Sequence, residues 1–209
     1  MRHGESVGNV ERRLQGHADL ELTEQGRVQG LRLRDRFQSE GFQPTHIYSS
    51  PLQRAAETAQ IVAYLWHIPI VHWDRLMEQD IGAFSGLTWA EISAKYSEVA
   101  WRFQESNNWD IVEGAETLKS LNDRGRQVLY ELKEVHTNDD AVLMFTHGGI
   151  LQHVVAALLG TERIWEVSVR NTAVFEFVLD IDQWPYGGGN QQGDLRWKIV
   201  RFNDVSHLD

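Results

Sequence analysis

The chain has no cysteine among its 209 residues, and this one absence removes disulfides, thiolate chemistry and zinc–thiolate sites together. It has no basic block either. Lysine and arginine number 20 against 30 aspartates and glutamates, and the formal charge of −10 argues against nucleic acid or an anionic membrane as partner. No apolar run approaches membrane-spanning length, and the N-terminus is polar at once, unlike a signal peptide. Neither an internal repeat nor an interdomain linker is visible. These exclusions leave a soluble, cytoplasmic protein whose length suits one α/β domain over residues 1–209.

Short β-rich runs alternate with helical patterns, which favours an α/β sandwich. Thr23 suits the N-cap of a helix to about Glu40, with Val28, Leu31 and Phe37 on one face and Gly41 as its stop. Thr45–Ser49 reads as a strand, followed by a helix from Pro51 to Trp66 and a second strand at Ile68–His72. The stretch from Asp74 to Val112 is less regular and predicts one helix near Trp89–Tyr96, then a loop. A helix over Thr117–Val135 has Leu118, Leu121, Val128, Leu129, Leu132 and Val135 as its apolar face. Ala141–Phe145 reads as a buried strand and Gly149–Leu159 as an apolar helix, with further strands at Val174–Leu179 and Leu195–Phe202. Trp184–Gly193, with Gly187-Gly188-Gly189, reads as a hairpin connection, since it lacks the lysine and the helix of a P-loop.

Four polar groups fall at or just after predicted strand positions: Arg2-His3, Ser49-Ser50-Pro51-Leu52-Gln53-Arg54, Glu78 and Thr146-His147-Gly148-Gly149. Ligands of open α/β sheets gather outside the carboxyl ends of strands, so these groups can converge. Two arginines, two histidines and a glutamate suit a phosphate dianion, with guanidinium forks and glycine backbone as donors. Each piece has an ordinary reading. Arg2-His3 alone is a solvated terminus, His147 a satisfied strand-end histidine, Arg54 a surface cation and Glu78 a loop acid. The order and context of all four together favour the site.

Those segments carry a resemblance. Arg2-His3-Gly4-Glu5-Ser6 with Asn9, Leu22-Thr23-Glu24-Gln25-Gly26 and Ser49 to Ala55 with Thr58-Ala59 come first. Glu78 with Gly82 and Gly86-Leu87, Glu113 to Thr117, Thr146 to Gly149, and Asn203-Asp204 with His207-Leu208 follow. The chain resembles the histidine phosphatase superfamily, which includes the cofactor-dependent phosphoglycerate mutases, over nearly its whole length. The resemblance implies a three-layer α/β/α sandwich with a mostly parallel central sheet and a small lid-like insertion at about 78–116. It implies His3 as the nucleophile that becomes phosphohistidine, with Arg2, Arg54 and His147 clamping the phosphoryl oxygens near the Gly148 backbone. Glu78 matches the proton donor to the leaving group. Asn9 and Gln15 lie in a loop that meets phosphate or substrate in relatives. Cations at the equatorial oxygens then take the part that magnesium plays elsewhere, so the resemblance implies no metal and no cofactor. The remaining histidines form no HExxH-type ligand set, and His67 and His72 flank a predicted strand.

The short segment after Glu78, with Ile81-Gly82-Ala83-Phe84-Ser85-Gly86-Leu87, is similar to the phosphatase branch. A mutase must retain its intermediate beneath a larger lid. Hydrolysis of a small phosphorylated metabolite is therefore the leading expectation, with a mutase and a catalytically weak binding member as alternatives. Trp89, Trp101 and Trp109 could line a pocket, but packing of the lid onto the body, or onto a second subunit in a homodimer, is the ordinary reading. Relatives carry an apolar strand before Arg-His-Gly, whereas here only Met1 precedes it. This predicts a chain that starts late, a frayed His3 and a slot in the sheet with unpaired backbone.

Overall fold

The computed structural model describes residues 1–164, 168–182 and 197–209. In chain order the elements are α1 (Val7–Val10), β1 (Arg13–Leu14), α2 (Glu24–Ser39), β2 (His46–Ser49), α3 (Gln53–Ala63) and β3 (Ile70–His72). Then come β4 (Leu87–Thr88), α4 (Trp89–Lys95), α5 (Ser97–Ser106), α6 (Leu118–Val135), β5 (Val142–Phe145), α7 (Gly148–Leu158), β6 (Val174–Leu179) and β7 (Trp197–Asp204). Short 3-10 turns at Asp74–Leu76, Gly82–Phe84, Trp109–Ile111 and Ser206–Leu208 link them.

The centre is a parallel sheet in the order β3-β2-β5. Ile47 pairs with Ile70 on one side and Leu143 on the other, so the three strands end level at Ser49, His72 and Phe145. Helices α2 and α3 pack together on one face, burying Leu33, Phe37, Ala59 and Val62 against Ile47, Leu143 and Phe145. Each of the larger side chains contributes about 1.5–3 kcal/mol on burial. Helices α6 and α7 pack together, and Leu129 and Leu158 share a cluster with Phe177 and Leu179 of β6. This is the expected α/β sandwich.

Several boundaries differ from the sequence reading. Thr23 does cap α2, accepting the Gly26 N–H at 3.0 Å, but the buried face is Gly26, Gln29, Gly30, Leu33 and Phe37, and Leu31 is exposed. Leu118 and Val135 at the ends of α6 are likewise exposed, and α3 stops at Ala63. The loop expected after α4 is a second helix, α5, which buries only Ala100 and Phe103. The strand expected from Leu195 is described from Trp197, and the connection at Trp184–Gly193 lies outside the described residues.

The start of the chain departs most. Met1–His3 do not fray. The Thr146 N–H donates to the Met1 carbonyl at 2.9 Å and the His3 N–H to the Thr146 carbonyl at 3.0 Å. On the other flank the Arg2 N–H reaches the Ala173 carbonyl and the Thr172 N–H the His3 carbonyl, at 3.3 and 3.1 Å. The Met1 amino group is buried, which pushes it down to about 5, and it donates to the Met144 carbonyl at 2.8 Å. Three residues thus bridge the parallel sheet to the antiparallel pair β6-β7, which otherwise forms a sheet of its own.

Candidate active site

The backbone ties that hold Met1–His3 also set the direction of the His3 ring. Both flanks of residues 2 and 3 are hydrogen-bonded, and the next residue, Gly4, donates to Thr58 Oγ1 at 3.0 Å. A Cβ on Gly4 would lie 2.6 Å from the Gly26 carbonyl oxygen, so the loop enters α2's first turn at a contact only glycine permits. The ring itself is 2% exposed. Its Nδ1 lies 2.6 Å from the Gly4 carbonyl oxygen, which can only accept, so the proton sits on Nδ1 and Nε2 presents a lone pair. Burial holds the imidazole well below its ordinary 6.5, and the charges of Arg2 and Arg54 add to that. At neutral pH the imidazole is uncharged.

Arg54, at the first turn of α3, is 1% exposed. It donates to the carbonyls of Ala18 and Gly16 at 2.9 and 2.8 Å, and burial lowers its pKa to about 10, where it stays charged at neutral pH. Arg2 donates to the Val169 carbonyl. The Nε of each arginine is buried without a partner, as is Nδ1 of His147. His147 is fully buried, with its ring centroid 5.1 Å from that of His3 and its Nε2 2.8 Å from Ser50 Oγ. Burial first, then the positive neighbours, hold it well below 6.5. Three buried polar atoms, each costing about 1–3 kcal/mol if left unmet, thus belong to the three residues whose charge or ring lies beside His3.

Glu78 closes the set. Its carboxylate accepts the N–H groups of Gly149 and Ile150, both at 3.1 Å, and of Gln79 at 2.9 Å, at the N-terminus of α7. Its charge favours the cationic forms of both Arg2 and Arg54. The carbonyls of the approaching segment are gripped by Arg124, which reaches Met77 at 2.6 Å and Glu78 at 3.3 Å while paired to Glu116 at 2.6 Å. His17 Nε2 lies 2.8 Å from the Glu78 carbonyl oxygen.

His3, Arg2, Arg54, His147 and Glu78 are thus brought together, as the sequence led us to expect. Gly148 begins α7 beside the Arg2 side chain. Asn9 and Gln15 stand one layer back. Asn9 forms a capping box with Ser6 and accepts from Asn171, which also donates to the His3 carbonyl at 3.2 Å, and Gln15 meets the Ser6 hydroxyl at 2.8 Å. Sequence reasoning assigned no role to Ser50, Thr58, Arg124 or Asn171. Their partners are 97, 54, 46 and 168 residues away, beyond any local spacing.

The tryptophans of the insertion pack mainly upon themselves. Trp89 and Trp109 join Phe84 and Phe103 in a small core with Ile92, Ala100 and Val112, and Trp101 is exposed. This segment touches the rest through the β1–β4 ladder and an Ile81–Ala115 bridge closes its base.

A buried neutral imidazole beside two guanidinium groups at one end of a parallel sheet defines a class of site, one suited to an oxyanion such as a phosphoryl group. The family model for the histidine phosphatase superfamily (branch 1) matches residues 1–190, and the chain belongs to that superfamily. It is similar to phosphoglycerate mutase-like protein 4 of Arabidopsis thaliana, at 36% identity over all of this chain and 85% of that protein. Among solved structures it is similar to YhfR of Bacillus stearothermophilus, with 30% identity, a TM-score of 0.80, and coverage of 100% and 96% of the two chains. The mycobacterial glucosyl-3-phosphoglycerate phosphatase solved with VO3 gives 26% identity, a TM-score of 0.74, and coverage of 97% and 96%. Members of the superfamily like these are phosphatases or mutases. Among the described residues, no helix is long and apolar enough to cross a membrane.

Proposed function

We propose that the chain is a phosphomonoesterase that hydrolyses a small phosphorylated metabolite through a phosphohistidine on His3. The observation that carries this reading is the His3 ring, with Nδ1 tied to the Gly4 carbonyl and Nε2 free in a cationic pocket. Nε2 attacks phosphorus in line, the P–O ester bond breaks, and the leaving oxygen takes the proton of Glu78, which must enter this step as the carboxylic acid and leave it as the carboxylate. Water then attacks phosphorus, the P–N bond breaks, and Glu78 takes the water's proton. The accepting geometry of the Glu78 carboxylate suits this second half. Arg2, Arg54 and His147 stabilise charge on the equatorial oxygens, so no metal ion enters either step.

A mutase reading draws on the name of the 36% identical Arabidopsis relative and shares the first half-reaction. Retention of a bisphosphorylated intermediate sets it apart. The test is phosphate release from a panel of phosphomonoesters with EDTA present, and a phosphoglycerate mutase assay beside it. Phosphorylated sugar acids come first on the panel, given the mycobacterial relative's name, and vanadate serves as inhibitor. We expect release that vanadate blocks and that His3→Ala lowers by at least about 10³-fold. Mutase activity with negligible hydrolysis would overturn the reading, and silence in both assays would leave a binding member of the superfamily. Loss of release with EDTA would sink the metal-free steps.

A further inference from the structure

At the opposite end of the parallel sheet from the phosphate pocket, three side chains from distant parts of the chain meet. His46 begins β2, His136 follows the last turn of α6, and Asp140 lies in the turn before β5. The pairing of His46 with Val142 and the Thr45 N–H bond to the Ala141 carbonyl at 2.8 Å bring them together. One ligand-type atom from each lies within 4.8 Å of the other two. We propose that His46, His136 and Asp140 bind one divalent transition-metal ion, with Zn2+ the best match, as a site independent of the phosphoryl chemistry.

Three observations support the assignment. The spacing is the first. His46 Nδ1 lies 3.4 Å from Asp140 Oδ1 and His136 Nδ1 3.3 Å from Oδ2. Elsewhere in the same molecule Arg27–Glu57 and Lys119–Asp123 close to 2.6 and 2.7 Å, while His17–Asp80 and Arg27–Glu24 stand at 3.6 and 3.7 Å. Two ligands bonded to zinc at about 2.0–2.2 Å in a tetrahedron stand roughly 3.3–3.6 Å apart, the separation seen here. An ordinary charge-assisted hydrogen bond would draw the pair to about 2.7–2.9 Å.

The second is a supporting shell. Tyr48 Oη is 3.0 Å from His136 Nε2, so an Nε2–H donating to that oxygen leaves the Nδ1 lone pair facing Asp140. The Thr45 hydroxyl lies 2.9 Å from His46 Nδ1 and 3.0 Å from Asp140 Oδ1, a contact to Nδ1 that a bound ion would have to replace, and the Thr137 N–H lies 3.0 Å from Oδ2.

The third is access. The His136 side chain is 2% exposed, whereas that of His46 is 46% exposed. The inner ligand is held by packing, and the outer one can be reached and leaves room for water at a fourth position. Two imidazoles and one carboxylate suit Zn2+ above Mg2+ or Ca2+, which prefer all-oxygen shells. A metal here would tie together the start of β2, the end of α6 and the turn into β5.

The test titrates the full chain with ZnCl2, following bound metal by equilibrium dialysis and unfolding by thermal melts. We expect one Zn2+ per chain and a Tm that rises with free zinc, with no response to MgCl2. His46→Ala and Asp140→Asn each weaken binding at least about tenfold, whereas His67→Ala and His3→Ala retain it. His46 is largely exposed, so its replacement keeps the test valid if Asp140→Asn folds poorly. Absence of saturable zinc binding would overturn the proposal. So would undiminished binding in His46→Ala, or binding lost in His3→Ala, which would place the ion in the phosphate pocket.

Discussion

His147 depends on a neighbour that no local pattern links to it. Ser50 Oγ accepts the Leu52 N–H at 3.2 Å, which leaves its own proton to donate to His147 Nε2 at 2.8 Å. That bond puts the imidazole proton on Nδ1, the atom buried without a partner beside His3. On the proposed function, Ser50 is thus a positioning residue that makes His147 a donor to a phosphoryl oxygen. Ser50→Ala is expected to lower kcat/KM by about 10–100-fold, since removal of an aligned donor to developing charge costs of this order. Its fold should persist, with at most about 2 kcal/mol of stability lost. Activity within twofold of the parent, with the Nδ1–H tautomer still seen by 15N NMR, would exclude the role. The sequence placed Ser50 in a segment resembling the family but gave no reason for the hydroxyl. Arg54, Glu78 and His147 were legible because each follows a strand that the apolar patterning already marked, whereas Arg2 and His3 stood out only through the resemblance of their motif. Ser50 and Arg124 were not, because their roles rest on contacts across the sheet.

Among the elements, legibility followed the strength of the apolar period. Helix α2 announced itself through Thr23 and Gly41, yet its buried face was misjudged because two glycines and a glutamine occupy it. Large apolar side chains carry the period that marks a buried helix face, and close packing on α2 works by their absence. Helix α5 was missed for the related reason that only Ala100 and Phe103 of its ten residues are buried. Gly26 shows what the small residues do. A Cβ built on it would lie 2.0 Å from the Glu5 carbonyl oxygen, a backbone atom two residues from His3. Gly26→Ala must therefore shift the segment that aims the imidazole. We expect a loss of about 1–3 kcal/mol in urea unfolding, as overpacking typically costs, together with a kcat/KM reduced at least tenfold. Gly41→Ala is the comparison. It too is strained, with φ at +65°, but its Cβ would touch nothing within 4 Å. It should cost about 1 kcal/mol and leave kcat/KM unchanged. Equal kinetic effects in the two variants would mean that the contact with Glu5 does not position His3.

For the whole molecule, the convergence of cations and histidines at strand ends was predictable from alternating α and β patterning, whereas the ordered first three residues were not. Nothing in Met1-Arg2-His3 signals that β5 and the Thr172–Ala173 turn both have groups waiting to pair with it. This concentration of buried imidazoles has a consequence for stability. Burial holds His3 and His147 well below 6.5 and lowers His153 and His207 to about 4. Below pH 6.5 the unfolded chain takes up protons at these positions that the folded chain does not. Stability therefore rises with pH in this window and is lost as pH falls from 6.5 toward 4. Each buried histidine contributes a slope approaching 1.4 kcal/mol per pH unit, and the half-buried His207 contributes less. Asp140 and Asp204, both lowered, remain ionised until more acidic pH and do not offset the trend. We expect the Tm to fall by at least about 5 °C between pH 7 and pH 5. His153→Gln, which keeps a polar partner for Asn122, should flatten that slope by one histidine's share without touching the phosphate pocket. The proposed function further expects inorganic phosphate at fixed pH to raise the Tm, since a ligand of the folded site stabilises the folded chain. A melting temperature that is flat or rising toward pH 5 would mean that these imidazoles accept protons in the folded state, and the uncharged His3 on which the proposed nucleophilic step depends would go with it.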